Sequence, residues 1–317
     1  MLRSAESVSP KHPDKICDQI SDAILDAALR QDQHSRVAIE TVGGHGLLTI
    51  TGEITTEAEI DFEAVARKYT DIEEVRIQVA QQSPEIASGV DSGGAGDQGV
   101  MIGYATADTE TLIPLEAELA RSLNRFIFAE FPHDGKTQIT IDGREIVAIV
   151  ASFQHAKQKE LIELISAWLN EQGRVEKPKI HANPAGDWHI GGFASDVGLT
   201  GRKLAIDNYG PLVPIGGGCF SGKDPTKVDR SGAYMARRIA VDYLRERKAG
   251  EVYCELAYAI GVAEPVQASV VIDGKEEQVK GYDLTPDGVS EHLDLLKPQY
   301  AETAQWGHFG NGFTWDK

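Results

Sequence analysis

Three times along this chain a helical hydrophobic period gives way to alternating strands and then to a second helix. Residues 14–30 put Ile16, Ile20, Ile24, Leu25 and Ala28 on one helix face. Residues 36–54 read as a hairpin whose strands, 37–41 and 47–50, flank Gly43-Gly44. A helix over 57–69 and an apolar alternation at Val75, Ile77 and Val79 follow. The order recurs as a helix over 115–131, a hairpin over 138–153 turning at Asp142-Gly143, and a helix over 158–172. It recurs again as a helix over 228–248, paired strands over 252–272 and a short helix over 288–296. Such a chain folds as α+β: three similar units, each laying two helices on one face of a mixed or antiparallel sheet. The opposite faces are then expected to be apolar and to pack on one another or on a second subunit. The units are placed at 1–83, 100–190 and 191–317, with a glycine-rich connector and active-site lid at 84–99.

The loop that stands apart from this pattern runs from Gly216 to Arg230 and joins three glycines to Lys223, Lys227 and Arg230. Glycine backbone brings N–H groups together around an anion, and the cations supply charge at the same place. Asp224-Pro225 predicts an N-cap with proline at the first helical position, so that a helix starts where the loop ends. Glycines, cations and a helix start together predict a polyphosphate site, where a glycine run alone would be a surface turn.

Two nucleotide motifs are excluded. Gly217 to Lys223 fits the core of a P-loop, but Asp224 stands where a Mg²⁺-binding hydroxyl is needed, and Pro211 and Pro214 interrupt the strand that should precede it. Gly94, Gly96 and Gly99 spell G-x-G-x-x-G with no apolar strand before them, which removes the dinucleotide reading. A kinase or NTPase of the P-loop kind is therefore set aside.

The net charge of −18 opposes general affinity for nucleic acid or anionic membrane. Against it, residues 196–230 carry five basic side chains and four acidic ones, a local excess suited to a small polyanion. Cys17, Cys219 and Cys254 form neither a disulfide framework nor a metal knuckle, which fits a reducing compartment. No stretch is long enough to span a bilayer and the first residues have no secretory pattern, so a cytoplasmic location is expected. No nucleophile motif is present either. Catalysis by positioning and charge compensation remains.

Several stretches bear a resemblance. They are Glu6-Ser7-Val8-Ser9, His12-Pro13-Asp14-Lys15, Gly52-Glu53-Ile54-Thr55-Thr56, Gln82-Ser83-Pro84 and the glycines from Gly94 to Gly99. Gly198-Leu199-Thr200-Gly201-Arg202-Lys203, the Gly216–Arg230 loop, Tyr258 to Pro265 and Gly307-His308-Phe309-Gly310 continue them in order. The chain resembles the S-adenosylmethionine synthetases. That likeness implies three domains in a pseudo-threefold arrangement, and homodimers or dimers of dimers with active sites between subunits. It implies attack of the methionine sulfur on C5′ of ATP, with tripolyphosphate cleaved to pyrophosphate and phosphate.

Residue by residue, the resemblance implies that His12 assists departure of the tripolyphosphate oxygen, with Lys136, Arg202 and Lys223 completing the catalytic set. ATP would be held by His12, Asp134, Lys136, Trp188, Asp196, Arg202, Lys203, Cys219 and Lys223. Methionine would meet Glu53, Gln82, Asp97, Asp196, Lys227 and Ile260. Two Mg²⁺ would be bound by Asp14 and Asp229, and one K⁺ by Glu40. The chain departs from the family pattern in a shorter lid after Gln82, in Ile215 before the glycines, and in Asp187-Trp188 where a basic-aromatic pair is usual. A non-catalytic ATP-binding relative is the competing reading; loss of the charged residues would mark it, and here they stand.

Overall fold

The structure, a computed structural model, describes residues 1–81 and 93–317. Three four-stranded sheets form the frame. The first runs β1 (Leu2–Val8), β6 (Gly135–Asp142), β7 (Glu145–Phe153), β8 (Lys179–Ala182). The second runs β4 (Glu74–Ala80), β3 (Leu47–Thr55), β2 (Arg36–Gly44), β9 (Gly198–Leu199). The third runs β12 (Lys275–Gln278), β11 (Gln267–Ile272), β10 (Glu251–Tyr258), β5 (Gly99–Thr106). The third is antiparallel throughout, whereas β3–β4 and β7–β8 are parallel pairs, so the other two sheets are mixed.

Every sheet takes one strand from a different third of the chain. β1 joins the central hairpin, β5 joins the last unit, and β9 closes the second sheet by pairing with β2. The α+β expectation of three helix-backed sheets holds, and the interleaving adds to it.

One long helix lies on each sheet: α1 (Pro13–Leu29) on β2, α3 (Leu115–Glu130) on β1 and β6, and α6 (Val228–Arg247) on β5 and β10. Shorter helices α2 (Phe62–Ala66), α4 (Gln158–Glu171), α5 (Leu204–Asp207), α7 (Pro286–Leu293) and α8 (Tyr300–Trp306) fill the remainder. The central unit has its own core, with Leu123, Ile127, Ile139, Ile149, Ile165 and Trp168 together. The first and last units share one continuous core from Ile20 and Ile24 through Tyr234 and Ile239.

Helix α1 carries a second pattern besides its apolar stripe. Asp14, Asp18, Asp22 and Asp26 recur every fourth residue, which stacks them along one side of the helix. All are buried, between 0% and 4% exposed, and each accepts backbone N–H groups from another part of the chain. Asp14 takes Leu199 N at 2.9 Å, Asp18 takes Gly201 N at 2.8 Å and Asp22 takes Gly222 N at 2.8 Å. Asp26 takes Gln299, Tyr300 and Ala301 N at 2.9, 3.0 and 3.0 Å, capping α8 from outside its own chain segment.

Several local expectations are corrected. The β2–β3 turn sits at His45-Gly46, both at positive φ. Gly43 serves close packing instead, since a Cβ there would lie 2.6 Å from Leu48 and 2.8 Å from Phe193. The helix expected over 57–69 shrinks to Phe62–Ala66 because Asp32 holds Thr56 Oγ1 and Glu57 N and keeps that stretch extended. The helix after the glycine loop begins at Val228 with Lys227 as N-cap, three residues later than Asp224-Pro225 suggested. Asp224 is occupied with Val37 N, Thr226 and Lys227. The helix expected over 288–296 is Pro286–Leu293, and α8 follows it. The open face of the second sheet is mixed rather than uniformly apolar: Ala38, Glu40 and Val42 alternate there with the buried Val37, Ile39 and Thr41. Glu53, opposite Ala38, shares that face.

Because α8 has no cap of its own, Asp26→Ala leaves three amides without their acceptor. We expect a loss of about 1–3 kcal/mol in denaturant unfolding and faster hydrogen exchange at residues 299–301, with Asp26→Asn milder.

Candidate active site

Two groups of charged side chains collect along α1. The first gathers at its N-terminus. His12 is the N-cap, its Nδ1 accepting Asp14 N at 3.2 Å, and Pro13 takes the first helical position. Asp14 is fully buried and gathers cations: Lys203 bonds its Oδ2, and Arg202 Nε lies 3.3 Å from Oδ1. Gly198 makes this approach possible, since a Cβ on it would lie 2.2 Å from Pro13 O and 2.8 Å from Asp14 N. Asp134 accepts Gly192 N at 2.9 Å, and Lys136 pairs with Glu6 across β1 and β6. Asp196 and Lys136 both act electrostatically on His12, which places them in the same group.

The second group lies where the glycine loop meets β2. Gly222 has φ +82°, and a Cβ on it would sit 1.9 Å from Ile39 O, so only glycine lets the loop dock here. Ile39 N donates to Gly222 O and Asp224 N to Val37 O, and Ala38 bridges to Lys223. Glu53, Ala38 and Lys223 thus sit side by side across β3, β2 and the loop. Lys223 Nζ bonds Asp229 at 2.5 Å, and Gly218 leaves room for that carboxylate, which a Cβ would overlap at 2.0 Å. Asp97 acts on Lys223, and Glu40 on Cys219. Gly201 links the groups, because a Cβ there would lie 2.5 Å from Cys219 Cβ.

The electrostatics set protonation. Burial and then the Lys203 charge push His12 down to about 4, so the ring is neutral near pH 7. With Nδ1 accepting the Asp14 amide, its proton sits on Nε2. Burial raises Asp134 to about 6 despite the Gly192 hydrogen bond. Burial opposes the charge on Lys223, yet the Asp229 hydrogen bond and charge outweigh it and keep the ammonium above its ordinary range.

Other expected residues fall differently. Trp188 is half-buried, with its indole N–H 3.3 Å from Asn183 Oδ1. Ile260 is an exposed turn residue beside Gly261, whose N–H bonds Ala95 O at 2.8 Å. Lys227 is nearly buried and bonded to Asp224 at 2.6 Å, and Arg230 is fully buried against Asp22. The sequence reading that all three loop cations gather at one place is therefore corrected for Lys227 and Arg230, whose charges are taken by Asp224 and Asp22. Gln82 and the lid through residue 92 lie outside the described residues.

Sequence reasoning missed Glu6, Asp18, Asp22 and the buried Lys15, which bridges Asp18 at 3.1 Å and Asp207 at 2.5 Å. The four-residue spacing of the aspartates was the available signal. Among the described residues no cluster of three or more His, Cys, Asp or Glu side chains could hold a metal, and no helix is long and apolar enough to cross a membrane. Asp14 and Asp229 are single carboxylates. That suits a cation sharing its shell with substrate phosphates and water rather than one caged by protein.

Comparison with known proteins agrees along the whole chain. The N-terminal domain of S-adenosylmethionine synthetase matches residues 1–86, its central domain 92–188 and its C-terminal domain 190–317. A protein of Sorangium cellulosum (strain So ce56) named S-adenosylmethionine synthase is 40% identical over 366 residues, spanning 99% of this chain and 87% of its own length. Proteins of the same name from Brachyspira hyodysenteriae and Bifidobacterium adolescentis are each 40% identical, spanning 99% of this chain and 95% of their own lengths. With the two charged groups in place and all three domains matched, this chain belongs to the S-adenosylmethionine synthetase family of enzymes.

Proposed function

We propose that the chain makes S-adenosyl-L-methionine from ATP and L-methionine by direct displacement at C5′. The observation that carries this reading is the distribution of Lys136, Arg202, Lys203 and Lys223 around carboxylates that substrate phosphates and their metal would compete for. The sulfur lone pair forms the S–C5′ bond as the C5′–O bond breaks, and the electron pair leaves on tripolyphosphate. Charge develops on that departing oxygen, so fixed cations there stabilise the transition state more than the ground state. Neutral His12 serves as a hydrogen-bond donor through Nε2–H. Lys136, Arg202 and Lys203 neutralise one end of the polyphosphate, and Lys223 the other. Glu53 on the open face of the second sheet is suited to the methionine ammonium, with Asp97 acting on the neighbouring Lys223.

Asp14 and Asp229 would hold Mg²⁺, and Glu40 a monovalent cation such as K⁺. These ions supply charge neutralisation of the polyphosphate when bound. Released tripolyphosphate is then hydrolysed to pyrophosphate and phosphate at the same cations. Two copies of the chain pair with their sites between them; turnover by a species that sediments as a monomer would overturn that arrangement.

Incubation with ATP and methionine, followed by mass spectrometry for S-adenosylmethionine, tests the function directly. In that assay Lys223→Ala is expected to lower kcat by roughly 10²–10³, a cost of about 2.7–4 kcal/mol. The methionine KM should change little. Near-normal kcat would take Lys223 away from the phosphates.

The acidic limb of the pH profile follows from the shifts. Asp134, held at about 6, becomes a full acceptor for ribose hydroxyls only as pH rises through that value. Therefore kcat/KM for ATP should rise through about pH 6. Asp134→Asn should abolish that step and His12→Asn should keep it, since His12 titrates near 4. A step that survives in Asp134→Asn assigns it to another group.

A further inference from the structure

We infer that Asp22 and Arg230 form a positioning pair that aims Lys223 at the leaving polyphosphate, a role that rests on the adenosyl-transfer reading above. The pair lies one layer beneath the loop, 0% and 1% exposed. Arg230 grips Asp22 with both ends of its guanidinium, Nη1 to Oδ1 at 2.6 Å and Nη2 to Oδ2 at 3.0 Å. Each partner then spends a remaining hydrogen bond on the same stretch of backbone. Asp22 Oδ1 accepts Gly222 N at 2.8 Å, and Arg230 Nη1 donates to Lys223 O at 3.2 Å. The lysine's backbone is therefore clamped on both sides by one ion pair.

The clamp is itself fixed. Arg230 Nε donates to Tyr234 Oη at 3.0 Å and Nη2 to Thr303 Oγ1 at 3.1 Å, and the guanidinium lies over the Tyr300 ring at 4.2 Å. All of the guanidinium nitrogens are thus engaged, which leaves one orientation for it. The loop is also tied to β2 by Ile39 N to Gly222 O and Asp224 N to Val37 O, and the ion pair adds two further bonds at the residues that carry Lys223. The long lysine side chain amplifies small backbone shifts, and an error near 1 Å at a reacting group costs on the order of 10²-fold.

Asp22→Asn keeps an acceptor for Gly222 N but loses the charge that orders Arg230. Arg230→Lys keeps the charge but loses the forked geometry and the bond to Lys223 O. Each is expected to lower kcat about 10–100-fold, leave the methionine KM within about twofold, and weaken binding of inorganic tripolyphosphate with Mg²⁺. The deciding measurement is a double-mutant cycle with Lys223→Ala. If the pair acts through Lys223, Asp22→Asn adds nothing to Lys223→Ala, in turnover or in tripolyphosphate affinity.

Independent, multiplying losses would overturn the inference, as would wild-type kcat in either single variant. Failure of both single variants to fold would also overturn it, since the pair would then hold the domain rather than the lysine. The tripolyphosphate arm needs no turnover. A wild-type chain that forms no S-adenosylmethionine therefore sinks the functional reading, while this arm still decides whether the pair governs Lys223.

Discussion

A carboxylate taken out of water loses several kcal/mol of solvation unless hydrogen bonds and counter-charges replace it. Helix α1 buries four of them in a row, and the chain answers each differently. Asp14 meets one amide and two cations, Asp18 an amide and Lys15, Asp22 an amide and Arg230, and Asp26 three amides. Apart from Lys15 on the helix itself, the answering groups come from residues 199–230 and 299–301, up to 275 residues away, and the helix gathers these segments around one line of negative charge. Remove the line and the glycine loop, the cationic turn at Gly201 and the start of α8 all lose their anchor. The site and the fold share this support.

That sharing explains the electrostatic character of the site. Lys203 and Arg202 are held by Asp14, Lys223 by Asp229, and Lys136 by Glu6. The cations are thus ordered by carboxylates already in position, with which, on the proposed reading, a polyphosphate and its metal would exchange partners. Preorganisation of this kind avoids reorganising charge during the reaction. The neutral His12 fits the same scheme, because burial and then the Lys203 charge disfavour protonation of its ring.

Much of this was legible in the sequence, for physical reasons that can be named. The helix of α1, the 138–153 hairpin and the glycine–lysine loop follow from hydrophobic period and turn chemistry, which act over a few residues. The β2–β3 turn was misplaced because Gly43-Gly44 looked like a turn pair. Glycine there answers a demand for space made by Phe193, which no local rule contains. The fate of Arg230 was misread for a similar reason. Its burial depends on Asp22, 208 residues away, and sequence alone placed it with the ligand-facing lysines. A separation of 192 residues from Asp207 likewise concealed Lys15 between Asp18 and Asp207.

The interleaving of the sheets bears on how such a chain comes into being. β1 is made first, yet the strand that it pairs with begins at Gly135, so it must wait unpaired while the intervening segment is synthesised. β9 and β5 complete the circle, each lying in a sheet built mainly by another third. A chain wired in this way cannot lose or gain a single unit without orphaning one strand and opening the edge of another sheet. The number of units is therefore fixed by closure, as the number of links is in a ring.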